Sequence, residues 1–500
     1  MARLGARALE IWRSWSVPRR VITVGAAIAV VVVGIAVAYT ILKRPGDVHS
    51  DAAFNAKEKE KKAEEEHSVR WPLYGYDPER TRYLPAKGVR PPFHSRFLFD
   101  AGELLEFSPI YVDGTLYVMN KNATFFAVDA GNGRVRWKHD QGTLAATAAA
   151  YWNGKLYITT LVPGQIICVR ADNGKRVWTR SLPGRSESSP LVHNGKVYFG
   201  AESGDLYALD AENGHDIWHI DTAGSVKAGV AYHNGTVYVG DYAGHMYAIN
   251  AASGAIRWDT TDLGVGFGRS GRFYATPAVA YGRVYAGNAD GRVYSFEASS
   301  GDIAWTHSTG GAVYASPAVA DTPGTPPTVY IGSADHNLYA LNADSGDTIW
   351  TAGVGGFISG SATVVDDVVY ASDSDNQKTY GWAVDDGHVV FKVDKGQYNP
   401  VISDGRRIFL TGYAGITKLT PKQEGAGPGK GGAKKNQPKH KGGGGKKNHG
   451  PKHPGGGKKK HGHKGQGHKG HKGHQGGGGG AKHHHKHHGR KHHGGGGKKD

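Results

Sequence analysis

Three groups of side chains in this 500-residue sequence have types and spacings suited to chemistry. Fifteen of the 27 histidines lie between Pro421 and Asp500, and the cluster His483, His484, His485, His487 and His488 offers neutral imidazoles of the kind that bind Zn2+, Ni2+ or Cu2+. Lys227, Arg269, Arg272, Tyr274 and Tyr314 form a second set, cationic and phenolic, and are the candidate ligand-binding residues. Arg269 and Arg272 share the stretch Thr260 to Phe273 with a single acid, Asp262, so no carboxylate cluster for a hard cation stands there. Gly264-x-Gly266-x-Gly268 resembles a phosphate loop in spacing, but no helical pattern follows it, and it reads as a flexible loop. Cys168, the one cysteine, excludes an intrachain disulfide, a cysteine-based zinc cluster and a Cys-x-x-Cys-His haem site. No residue is assigned a catalytic role.

Positioning these groups falls to a repeat. Trp137, Trp178, Trp218, Trp258, Trp305 and Trp350 recur at intervals of 41, 40, 40, 47 and 45 residues, and Phe391 follows after 41. The unit containing Trp218 breaks at Asn194-Gly195, Ser203-Gly204 and Asn213-Gly214. Between these hairpin dipeptides apolar and polar residues alternate, with Val, Tyr and Ile enriched, which predicts four short antiparallel strands per unit. Such a unit of about 40 residues is a propeller blade. Seven units carry their own fourth strand, whereas Asn399 to Leu419 supplies three and stops. His94 to Gly102 resembles the outer strand His215 to Gly224, with Phe97 placed 40 residues before Trp137, and is expected to complete the last blade. The fold class is therefore all-β, an eight-bladed propeller over 70–421. The tryptophans read as packing between blades. Turns leading into each blade's inner strand converge on the channel mouth. The residue two before each expected inner strand gives a ring of Glu106, Ala146, Glu187, Lys227, Tyr274, Tyr314, Ser359 and Gln397. The sector from Lys227 to Tyr314, bordered by Arg269 and Arg272, is the preferred binding patch.

Tyr207 to Trp218 (YALDAENGHDIW) and Tyr339 to Trp350 (YALNADSGDTIW) resemble the pyrroloquinoline-quinone (PQQ) repeat, A-x-D-x-x-(T/S/N)-G-x-x-x-W. Trp71 to Asp77 with Thr81-Arg82 resembles that superfamily's lead-in, so the resemblance spans Trp71 to Pro421. It covers quinoprotein alcohol and sugar dehydrogenases and also non-catalytic propellers, among them the lipoprotein that assists outer-membrane protein assembly. The dehydrogenase branch implies PQQ over the channel, calcium held by Glu, Asn and Asp, an Asp base and an adjacent-cysteine disulfide, the last of which one cysteine forbids. Its catalytic groups sit on long insertions, whereas these units keep to about 40 residues. Arg269 and Arg272 would nevertheless suit stacking a planar tricarboxylate.

The ends carry the charge. Pro421 to Asp500 holds 28 Gly, 15 His, 20 Lys and one Arg against two acids, a net +19 out of the chain's +17, so the remainder is slightly acidic. The basic balance therefore does not indicate a globular nucleic-acid-binding domain. With no aliphatic larger than Ala and no aromatic after Leu419, the tail at 422–500 is expected to be disordered. It would adhere to anionic wall polymer or bind transition metal, without specific nucleic-acid recognition. Val21 to Leu42 has no charge over 22 residues and reads as a transmembrane helix, with Arg3, Arg7, Arg13, Arg19 and Arg20 keeping the N-terminus (1–20) cytoplasmic and placing the propeller and tail outside. Ala36-Val37-Ala38 leaves a cleaved signal peptide as the alternative. The stretch 43–69, with KEKEKKAEEE at Lys57 to Glu66, reads as a charged stalk. The sequence thus points to a single-pass, extracytoplasmic propeller acting as a binding or assembly scaffold for an envelope protein or wall polymer. No cofactor is expected. The alternative is a membrane-bound dehydrogenase using PQQ with calcium.

Overall fold

The structure, a computed structural model, describes residues 16–43, 46–50, 54–55, 69–264 and 270–422. Lys57 to Glu66, Arg269 and the histidine-rich tail lie outside these residues. Helix α1 (Val17–Lys43) contains the expected span and is long and apolar enough, by length and composition, to cross a membrane. Its 27 residues would extend about 40 Å.

Eight antiparallel sheets follow. Blades 1 to 7 occupy 110–140, 150–181, 191–221, 231–261, 278–308, 318–353 and 363–393, each running from a three-residue inner strand to an outer strand. Inner strands of neighbouring blades adjoin one another, which sets them around a common axis. The hairpin dipeptides do what their chemistry requires: Asn194 and Gly195 take φ of 47° and 73°, the left-handed pair that matches strand twist. β1 (Tyr83–Leu84) adds a parallel strand inside blade 7. β2 (Phe93–Asp100) pairs antiparallel with Gly415–Pro421, with Phe93 opposite Pro421 and Asp100 opposite Gly415, and so supplies the missing strand of blade 8. The eight-bladed closure expected from the repeat is the observed architecture.

The recurring tryptophans clasp blade to blade. Trp218 Nε1 donates to the Ala251 carbonyl of blade 4 at 3.2 Å, and Tyr198 Oη donates to the same oxygen at 3.1 Å. The ring lies on Gly254, where a Cβ would come within 2.9 Å of the indole. The same clasp recurs from Trp137 on Ala171 to Trp350 on Val384. At the seam it changes. A bulge between Phe97 and Phe99 puts the Leu98 backbone on Gly133 of blade 1, and Phe97 is left 56% exposed. Phe97 belongs to the expected strand, but it is not the counterpart of the tryptophans.

Two segments outside the repeat complete the body. Residues 71–84 run past the inner strands on one side of the ring. Tyr151 N donates to Pro72 O, Tyr232 N to Pro78 O, Val279 N to Glu79 O, Val319 N to Thr81 O and Val364 N to Arg82 O. This arc ties blades 2, 4, 5, 6 and 7 together and buries Arg80 and Arg82 at 0% and 2% exposure. Residues 47–50, just after α1, lie along the outer strand of blade 5. Thr306 N donates to Val48 O, Ser50 N donates to Ala304 O, and Asp47 accepts from Ser308 N and Oγ. Phe54 then packs on Tyr281 at 5.4 Å. These residues of the expected stalk thus lie against the propeller.

Candidate functional site

Each blade is entered by a short lead-in from the previous outer strand. The inner strands begin two residues later than the sequence pattern suggests, so the ring residues stand four positions before them. Glu106, Glu187, Lys227, Tyr274, Tyr314 and Ser359 line one cavity of about 330 Å3, within the size range of small-molecule sites. Ala146 and Gln397 are buried, at 8% and 7% exposure, and take no part in the lining. Of the candidate residues, the structure therefore brings Lys227, Tyr274 and Tyr314 together. Arg272 is exposed, its guanidinium 5.5 Å from the Tyr242 ring centroid, and is not part of the lining. Arg269 and the histidines His483, His484, His485, His487 and His488 fall outside the described residues.

A second ring supports the first. Two residues before the inner strands stand Ser108, Ser189, Thr276, Ser316, Ser361 and Asn399. Their side chains accept from neighbouring lead-ins: Ala148 N donates to Ser189 Oγ at 3.0 Å, Gly229 N to Thr276 Oγ1 at 2.9 Å and Thr276 N to Ser316 Oγ at 3.0 Å. Sequence reasoning passed over this ring, although Ser108-Pro109, Ser189-Pro190, Thr276-Pro277 and Ser316-Pro317 repeat in phase with the blades. The hydroxyls satisfy backbone donors that irregular, buried lead-ins would leave unpaired.

The wall is aromatic and acidic. Lys227 Nζ lies 2.9 Å from Glu187 and 3.2 Å from Glu202, and 5.6 Å from the Tyr242 centroid. Burial alone would depress this ammonium, but the two glutamates outweigh it and hold its pKa above the ordinary lysine value. Tyr274 stacks edge-on against Tyr314 at 6.3 Å and packs on Tyr242 at 6.1 Å. Its hydroxyl titrates well above the usual range because it is buried beside Glu187 and Glu106. Glu106 is pushed up too, by burial and by Glu187, against Lys121 and Lys227. Tyr74, from the arc, also lines the cavity; its hydroxyl contacts Ser361 Oγ at 2.5 Å and Asn399 Oδ1 at 3.1 Å. Arg82 stacks behind its ring at 4.6 Å. Burial would raise the Tyr74 phenol, and the Arg82 charge together with hydrogen bonds from Ser361, Arg82 and Ser316 outweighs it and leaves the phenol below its ordinary value.

The charged lining is thus two glutamates and one lysine that is already ion-paired. A planar tricarboxylate such as PQQ would meet a net negative wall. Asn399, the lining amide, accepts from Tyr74 and donates to Glu106 O. Among the described residues the lining does not suit the quinone's three carboxylates.

Comparison with known proteins gives the following. The family pattern described as outer membrane protein assembly factor BamB matches residues 121–226, 202–326 and 316–419. An alcohol dehydrogenase (quinone), dehydrogenase subunit, from Komagataeibacter europaeus is 27% identical over 164 residues, covering 27% of this chain and 22% of that protein. The matched stretch thus spans about a fifth of that relative's length. Among solved structures, BamB from Moraxella catarrhalis superposes with TM-score 0.53 at 18% identity, over 66% of this chain and 97% of that one. Quinohemoprotein alcohol dehydrogenase from Comamonas testosteroni gives 0.59 at 15%, over 73% and 82%. At these identities the structures share the fold.

Proposed function

Because the chain belongs to the PQQ-repeat family whose pattern is described as outer membrane protein assembly factor BamB, we propose that it is a membrane-anchored, extracytoplasmic binding or assembly scaffold. The observation that carries this reading is the channel mouth. Seven lead-ins converge on a cavity that has the size and aromatic wall of a ligand site but presents Glu106, Glu187 and a committed Lys227 instead of an anion clamp. In this reading α1 holds the propeller at the membrane, the mouth takes a ligand or a partner's side chain, and the tail contacts wall polymer or metal. The identity to the quinone alcohol dehydrogenase subunit favours an alternative, a PQQ-dependent membrane-bound dehydrogenase. That alternative needs cationic groups for the quinone's carboxylates, and the one lysine of the mouth is already ion-paired.

The two readings separate in one experiment. The full chain in detergent is incubated with PQQ and calcium, then desalted. We expect no retained quinone absorbance and no alcohol-dependent dye reduction. Retained cofactor with turnover would overturn the scaffold in favour of the dehydrogenase.

A further inference from the structure

We propose that the channel mouth recognises an organic ammonium group, an amine or quaternary ammonium on a small apolar stem; this rests on reading the mouth as the binding site.

Glu106 is the first reason. It lines the cavity, is only partly exposed, and its carboxylate has no hydrogen bond or ion pair among the described residues. Burial and Glu187 raise its pKa, which is what an acid placed to receive a cation shows while the cation is away. Asn399 Nδ2 fixes the backbone of this residue by donating to its carbonyl at 2.9 Å, so the lead-in is held while the side chain stays free.

The second reason is the wall. Tyr242, Tyr274 and Tyr314 pack on one another in the cavity, and aromatic faces attract ammonium groups most strongly where water is excluded. The chain already uses Tyr242 in this way, with Lys227 at 5.6 Å and Arg272 at 5.5 Å from its centroid. Lys227 does not neutralise the site, because Glu187 and Glu202 both hold it.

An anion is the opposite possibility, and Arg82 is its best support. The Nε and Nη2 atoms of this buried guanidinium have no hydrogen-bond partner among the described residues. Yet Arg82 is not part of the lining, and the Tyr74 ring stands against it at 4.6 Å. The charges acting on Glu106 are Glu187, Lys121 and Lys227, whereas Arg82 feels Tyr74. The guanidinium is therefore electrostatically apart from the acid that faces the cavity.

The test is calorimetric titration of the full chain in detergent with choline, with n-butylammonium, and with 3,3-dimethyl-1-butanol, which has choline's shape without its charge. We expect at least one cation to saturate with an affinity about tenfold or more above the neutral alcohol. Glu106→Gln should weaken the cation about tenfold and leave the alcohol unchanged. Tyr274→Phe should keep binding and Tyr274→Leu should lose it, with melting temperatures confirming that each variant is folded. If cation and alcohol bind alike, or Glu106→Gln has no effect on the cation, the ammonium inference fails while the mouth stands as a binding site. If none of the three ligands binds, the ammonium inference fails, and the scaffold reading is judged by the quinone experiment, which does not depend on it.

Discussion

At the scale of single residues, Asp262 shows how the one insertion in the repeat is held. Its carboxylate accepts from Gly264 N, Gly271 N and Asn288 Nδ2, so it staples the two ends of a loop whose middle lies outside the described residues. Burial and the nearby Asp290 charge push its pKa up to about 6 despite those bonds. The folded chain therefore binds this proton more tightly than the unfolded chain. The protonated form's stabilisation is full below about pH 4 and is lost as pH rises through about 6. The Asp262→Asn variant should lack that dependence. Thermal melts at pH 4.5 and 7.5 check it: the wild type should gain on the variant at the lower pH, and parallel profiles would sink the assignment. The mouth residues were legible for a different reason. Once the tryptophan period fixes the register, the lead-ins follow, and Glu106, Glu187, Lys227, Tyr274, Tyr314 and Ser359 fall into place together. The roles of Tyr74, Arg80 and Arg82 were not legible, because they come from a single non-repeated arc whose partners, Ser361 and Asn399 for Tyr74, Val230 O for Arg80 and Pro317 O for Arg82, belong to distant blades.

Among elements, the blades and their joints differ in how far the sequence discloses them. Strand alternation and the Asn-Gly turns dictate each sheet, and the tryptophan-to-carbonyl clasp recurs at six joints, on an alanine at five and on Val384 at the sixth, so one variant speaks for the set. Trp218→Ala should lower stability by about 3–5 kcal/mol, and Gly254→Ala, where φ is 76° and the indole leaves no room, by about 1–2 kcal/mol. Chemical denaturation measures both; a Gly254→Ala variant as stable as the parent would show that the clasp has slack. The seam was half legible. The strand His94 to Gly102 announces itself by likeness to other outer strands, but the bulge that substitutes Leu98 for Phe97 on Gly133 depends on a register shift that no residue type signals. Deleting Pro92 to Gly102 removes the whole outer strand of blade 8. It should lower the melting temperature far more than deleting residues 423–500, and equal shifts would contradict closure by β2.

For the whole molecule, charge is divided between the ends and the body, and the tail's 21 basic side chains against two acids make it the part suited to polyanions. The full chain should bind a purified anionic wall polymer better than a chain ending at Lys422. Retention should fall steeply from low to moderate salt and strengthen as pH drops through about 6.5. Equal retention of the two chains, or abolition by a chelator alone, would favour metal as the tail's ligand. The segment after α1 bears on something else. A pull on the anchor reaches blade 5 first, through Asp47, Val48 and Ser50 on the strand Ile303–Ser308. Only afterwards does it reach the arc at 71–84, and β2 lies beyond both attachments. The docked segment is thus a mechanical fuse: a few edge hydrogen bonds give way under load before any tension arrives at the arc or at β2. In single-molecule pulling from the N-terminus, a small early extension should precede rupture of the ring, and its absence would show that the docked segment bears no load of its own.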